Sequence, residues 1–168
     1  VVTSGGLSGS IHGAKSGFEY SSTDVDAIMN NDSINTIAIA TRHDSHSELV
    51  CRGLQSGKSV FVEKPLAINR EGLSAIKKQY LRQEGHLGCG PLNHLMVGFN
   101  RRYSSHITKM KSLLANVTEP KSFIMTMNAG YIPQDHWVHD STVGGGRIIG
   151  EACHYIDLMR FLVGSEIV

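Results

Sequence analysis

Charge of one sign is what this 168-residue sequence has least of: sixteen Lys and Arg stand against fifteen Asp and Glu, a net +1. So even a balance leaves no electrostatic footprint for a nucleic-acid backbone, and no nucleic-acid partner is expected. Charged residues make up only 18% and there are four prolines against 40% hydrophobic residues, which excludes a disordered or fibrous chain and predicts a packed core. No apolar run approaches the roughly 18 residues of a membrane span, and the first residues lack a secretory leader's basic start and apolar stretch. The expectation is a soluble, cytoplasmic protein without a membrane partner. Cys51, Cys89 and Cys153 cannot close into pairs and have no C-x-x-C spacing, which fits a reducing compartment. Histidine is the contrary case, with nine residues, including the pairs His43 with His46 and His136 with His139.

The chain opens Val1-Val2-Thr3-Ser4-Gly5-Gly6, two β-branched residues and then turn formers, the pattern of a strand end entering a loop. From residue 24 the pattern is regular. Asp24 to Met29 reads as a short capped helix and Ile34 to Ala40 as a β-branched strand. His46 to Gln55 carries Leu49, Val50 and Leu54 on one helical face and stops before Gly57, after which Ser59 to Val62 is an apolar strand. A helix over 71–82, a loop over 85–91 and a short strand at Leu95 to Gly98 follow. Strands alternating with helices predict a parallel sheet covered on both faces, a partial doubly wound α/β fold. After Gly98 the rhythm changes to a helix over 104–114, a strand over 122–128, a long loop rich in Gly, His and Asp, and an apolar helix from Ile156 to Val163 stopped by Gly164. A domain boundary is placed there, between residues 1–97 and 98–168.

Open parallel sheets bind ligands beyond the carboxyl ends of their strands. Two loops occupy that edge: Ala40-Thr41-Arg42-His43-Asp44-Ser45-His46 and Glu63-Lys64-Pro65.

These loops form part of an ordered set of motifs. Ala40-Thr41 with His46, Ser56-Gly57-Lys58, Glu63-Lys64-Pro65-Leu66-Ala67, Val97-Gly98-Phe99-Asn100-Arg101-Arg102-Tyr103, and Gly144-Gly145-Gly146 leading to His154-Tyr155-Ile156-Asp157 occur in sequence from about Thr23 to Gly164. In this the chain closely resembles the Gfo/Idh/MocA oxidoreductases, NAD(P)-dependent sugar and cyclitol dehydrogenases. Arg42 to His46, Ala129-Gly130-Tyr131-Ile132-Pro133 and Gly150-Glu151-Ala152-Cys153-His154 look like a subgroup of that family fused to a zinc alcohol-dehydrogenase-like part.

The resemblance implies a Rossmann-like nucleotide-binding domain over 1–97, incomplete at its start. It implies an α+β domain for substrate and oligomerisation over 98–168, incomplete at its end. The implied reaction is hydride transfer between NAD or NADP and a secondary alcohol of a sugar, nucleotide-sugar or cyclitol-like substrate, in an enzyme that forms a homo-oligomer when full length. Lys64 is the implied proton-transfer residue, since desolvation beside a positive charge disfavours an ammonium and makes a lysine usable as a base. His154 is the second implied catalytic group, set against the plainer reading of a structural histidine. On a regular helix Ala152, Ile156, Met159 and Val163 share one face and His154 points nearly opposite. Where the family carries an aspartate one turn before this histidine the chain has Gly150. Glu151, assigned to substrate binding, is adjacent but about 100° round a regular helix. Ala40, Thr41, Arg42, His43, His46, Glu63 and Lys64 are assigned to the cofactor, with Glu63 at the nicotinamide ribose. Asp157 is given a supporting role. Arg102 is a candidate for holding a substrate anion, because Arg forks match carboxylates and phosphates, or else part of a solvated pair with Arg101. Tyr131 and Trp137 are candidates for stacking on a sugar, and Trp137 equally for the core.

No G-x-G-x-x-G follows a complete strand, and Gly5-Gly6-Leu7-Ser8-Gly9 does not replace it. Thr3 and Ser4 stand where family members carry a ribose-reading acid, so NAD and NADP both remain open, and a fragment of a longer enzyme is expected. Two rival readings remain: a non-catalytic module of the same fold, and a metal-dependent hydrolase built on the histidine pairs and Cys153-His154. Neither pair follows H-E-x-x-H, and no metal is assigned.

Overall fold

The computed structural model describes residues 1–84 and 93–165; the expected loop over 85–91, with Cys89, lies outside the described residues. The β-branched and apolar runs become three parallel strands, β1 (Thr36–Ile39), β2 (Ser59–Val62) and β3 (Leu95–Val97), in the order β1-β2-β3. Ile37 pairs with Val60 and Val62 with Val97. A parallel pair needs a crossover, and α3 (His46–Gln55) supplies it between β1 and β2, while α4 (Arg70–Glu84) lies in the β2–β3 connection. Before them come α1 (Gly6–Lys15) and α2 (Asp26–Met29).

Helix α3 buries His46, Val50, Gly53 and Leu54, one stripe at helical spacing. That stripe meets Ile37, Ile39, Val60 and Val62, and Ile76 and Met29 complete the cluster. Side chains of this kind contribute about 1.5–3 kcal/mol each when fully buried, so this cluster fixes the strand ends on which the site stands. Burial alternates along β1 and β2, so among the described residues the helical cover lies on the α3 face, and Thr36 and Ala38 on the opposite face are exposed. Lys58 is buried against its charge, with its Nζ donating to the carbonyls of Asn31 at 2.8 Å and Ile34 at 2.7 Å.

The opening segment differs from its sequence reading. Val2 makes one parallel bridge to Ser22, and the glycine-rich stretch after it is helix α1 rather than a loop. A Cβ on Gly9 would stand 2.2 Å from Thr3, and one on Gly13 2.9 Å from Val1, so the helix lies directly on the first residues. Close packing on Val1 and Thr3 outweighs the poor helix propensity of glycine.

Beyond Gly98 a 3₁₀ turn (Asn100–Tyr103) leads to α5 (Ser105–Leu114). The strand expected over 122–128 does not form. No strand lies beside it among the described residues, and a segment without a ladder partner leaves its backbone groups to solvent. A short 3₁₀ turn (Trp137–His139) follows, and then a π-helical turn (Ile148–Ala152) runs straight into α6 (Cys153–Val163), which stops at Gly164 with φ +78°. Helix α6 buries His154, Leu158 and Leu162, not the expected stripe, and Ile156 is 42% exposed. Its packing partners are α5 and the turn at Asn100–Tyr103, and they lie on the His154 side. Lys111 of α5 donates to the Phe161 and Leu162 carbonyls at 2.6 and 3.3 Å, placing a cation at the α6 C-terminus. No helix among the described residues is long and apolar enough to cross a membrane.

Candidate active site

The strand ladder continues one residue past the strands themselves. The Glu63 N–H donates to the Ile39 carbonyl at 2.8 Å and the Gly98 N–H to the Val62 carbonyl at 2.7 Å, so the three carboxyl ends leave the sheet side by side. The Glu63 carboxylate lies across Gly98, 3.2 Å from where a Cβ would stand. Ala40, Thr41 and Arg42 are exposed along the same edge.

His43 and His46 do not share that exposure. The His43 Nδ1–H donates to the Gly144 carbonyl at 2.8 Å, its ring packs edge-on to Trp137 at 4.9 Å, and the residue is buried. His46 is fully buried, with Nδ1 2.7 Å from the Pro65 carbonyl and Nε2 3.1 Å from the Thr41 carbonyl. Both ring nitrogens face carbonyl acceptors, and the shorter contact ties α3 to the loop behind Lys64. Both histidines, read from sequence as cofactor contacts, are buried and tie loops together.

Lys64 and His154 do come together. The Lys64 Nζ donates to the Gly150 carbonyl at 2.7 Å and lies 3.4 Å from Glu151 Oε2. His154 is buried 6.2 Å from the Phe99 ring, and its Nδ1 is a buried ring nitrogen with no hydrogen-bond partner. Burial pushes the His154 pKa below the ordinary 6.5, the charges of Lys64 and Arg101 push the same way, and Glu151 and Glu63 oppose. A neutral ring with an unused nitrogen beside a lysine ammonium can bind and orient a hydroxyl.

Glu151 reaches this cluster because the backbone before α6 is a π-turn, so the angle expected of a regular helix does not apply. Its other oxygen lies 3.9 Å from Arg101, whose guanidinium stacks 4.6 Å above the Tyr155 ring. Arg102, the arginine singled out from sequence, is held by Asp157: its Nε and Nη2 donate to the two Asp157 oxygens in a paired ion bridge, and it lies over the Phe161 ring. Asp157, given a supporting role from the sequence, is the acid of that bridge. Trp137 is engaged by His43, His136 and Arg42, while Tyr131 is 88% exposed. Among the described residues no group of three or more His, Cys, Asp or Glu converges as a metal site.

Residues 11–89 match the family model described as "Oxidoreductase family, NAD-binding Rossmann fold", that of GFO_IDH_MocA. Over these residues the chain is similar to the Gfo/Idh/MocA oxidoreductases. It is similar to the inositol 2-dehydrogenase of Rhizobium meliloti, 29% identical over 144 residues, which cover 84% of this chain and 40% of the relative. In structure it resembles a levoglucosan dehydrogenase in complex with NADH and levoglucosan, with a TM-score of 0.76 at 22% identity, covering 98% of this chain and 44% of that one. An NAD-binding protein from Listeria innocua superposes with a TM-score of 0.73 at 30% identity, over 92% of this chain and 44% of that one. The chain therefore spans about two fifths of the length of the curated relatives it matches.

Sequence reasoning missed two neighbours, one of Lys64 and one of Glu151. The Gly150 carbonyl is a backbone group, invisible in a residue list. Arg101 and Arg102 are adjacent and chemically identical, and only the Tyr155 and Asp157 contacts separate them.

Proposed function

We propose that this chain carries the proton-transfer half of an NAD(P)-dependent dehydrogenase acting on a neutral polyol, an inositol or a sugar-like alcohol. The observation that carries the reading is the unpartnered buried Nδ1 of His154 in the cleft that holds Lys64. The residues suit a nicotinamide: an exposed sheet edge at Ala40–Arg42 and a Glu63 carboxylate lying across Gly98. A bound NAD or NADP supplies the hydride acceptor.

Each side chain then has one task. Lys64 takes the substrate hydroxyl proton, His154 hydrogen-bonds the same oxygen, Glu63 accepts from ribose hydroxyls, and the Ala40–Arg42 edge lies along the dinucleotide. Residues 1–97 serve the nucleotide and 98–168 the substrate. Fluorescence titration of the full-length protein with NADH and NADPH identifies the cofactor. Lys64→Ala then lowers inositol oxidation at least a hundredfold and leaves cofactor binding unchanged; oxidation at the wild-type rate in that variant ends the assignment.

A further inference from the structure

Lys64 is gripped by two consecutive residues of the π-turn. A π-turn widens a helix and swings carbonyls out of the i+4 ladder, and such turns occur mostly where function requires them. Here the Gly150 carbonyl receives the Lys64 Nζ at 2.7 Å. Gly150 is buried, and a Cβ on it would stand 3.1 Å from both the His43 ring and the Gly144 carbonyl. The absence of a side chain therefore lets the turn lie against the two residues that join the sheet edge to the glycine loop. The second grip is the Glu151 carboxylate at 3.4 Å, itself held between Lys64 and Arg101, which is stacked on Tyr155 one turn further along α6.

We propose that Gly150 and Glu151 are positioning residues for Lys64, a built seat of one backbone carbonyl and one carboxylate that takes two Nζ hydrogens and, in the neutral amine, leaves the lone pair free to accept a proton. An ammonium on a flexible four-carbon stem has no fixed direction of its own. With two hydrogens committed, the remaining position on Nζ has only one direction left, held by the lone pair in the neutral amine and by the transferred proton afterwards. The catalytic importance of the seat rests on the reading of Lys64 as the proton-transfer residue, whereas the seat itself does not.

The test follows arylation of Lys64 by trinitrobenzenesulfonate in the full chain, quantified by peptide mass spectrometry, with the exposed Lys77 and Lys109 as internal references. Glu151→Gln keeps size and shape and removes the charge. It raises the Lys64 rate at least threefold relative to the references, and Glu151→Asp falls between the two. Gly150→Ala, which crowds His43, raises it as well; should that variant fail to fold, the Glu151 pair decides alone. A Lys64 rate in Glu151→Gln equal to wild type overturns the seat. Failure to bind NADH or NADPH, with the labelling contrast intact, removes the dehydrogenase reading and leaves the seat standing.

Discussion

The His43 ring and the Gly144 carbonyl, 101 residues apart in sequence, meet in a buried hydrogen bond of 2.8 Å. Beside it the Asp44 N–H donates to the Val143 carbonyl at 3.0 Å. One side-chain bond and one backbone bond therefore fasten the loop after β1 to the glycine turn before α6. His43→Ala removes the donor, leaves a buried carbonyl unsatisfied and opens a gap beside Trp137. Urea unfolding is expected to show a loss of about 2–4 kcal/mol.

Stability should fall in mild acid. Burial lowers the pKa of both His43 and His154 below 6.5; the bond to Gly144 and the charge of Asp44 oppose at His43, while His46 and Lys64 reinforce. Native rings then bind protons less readily than unfolded ones, so their contribution is complete above the ordinary histidine pKa. It declines as pH falls from about 6.5 through the lowered native values. Chemical denaturation at pH 7.5, 6 and 5 is expected to show this decline, and His154→Gln to flatten it.

The two arginines should separate in experiment. Arg102→Gln leaves the largely buried Asp157 carboxylate without its partner and is expected to lower stability by about 1–3 kcal/mol, with nicotinamide binding unchanged. Arg101→Gln removes an exposed side chain from a distant ion pair, and unfolding should change by less than about 1 kcal/mol. Paired denaturation curves measure both.

Leu54 is among the largest fully buried side chains of the described residues. It is 2% exposed on the α3 stripe that meets the sheet, and Leu54→Ala is expected to cost about 2–5 kcal/mol by calorimetry or denaturant.

Helix α3 and strand β2 were legible to the residue, because an apolar stripe or run with a turn former at its end has one local solution. That the three strands run parallel followed from their alternation with helices. Helix α1 was not legible, since its glycines read as loop until their contact with Val1 and Thr3 is known. The segment over 122–128 has the composition of a strand, but a strand also needs a neighbour. Lys64 and His154 were singled out through resemblance, whereas the burial of His43 and His46 involves carbonyls of Gly144, Pro65 and Thr41 that no side-chain pattern reveals. The α6 stripe was misplaced because α5 and the turn at Asn100–Tyr103 cover the His154 side of the helix, and the different angular step of the π-turn before it was not legible at all.

That different step has a consequence for how such sites change. A π-turn amounts to one residue more than a regular helix would hold between the same two ends. Removing a single residue from Ile148–Ala152 restores the regular winding and rotates everything before it by about 100° relative to His154. The carbonyl and carboxylate at Lys64 would then be replaced by their neighbours with no side chain altered. Spacing along the backbone, rather than the chemistry of any one residue, decides which groups meet the lysine.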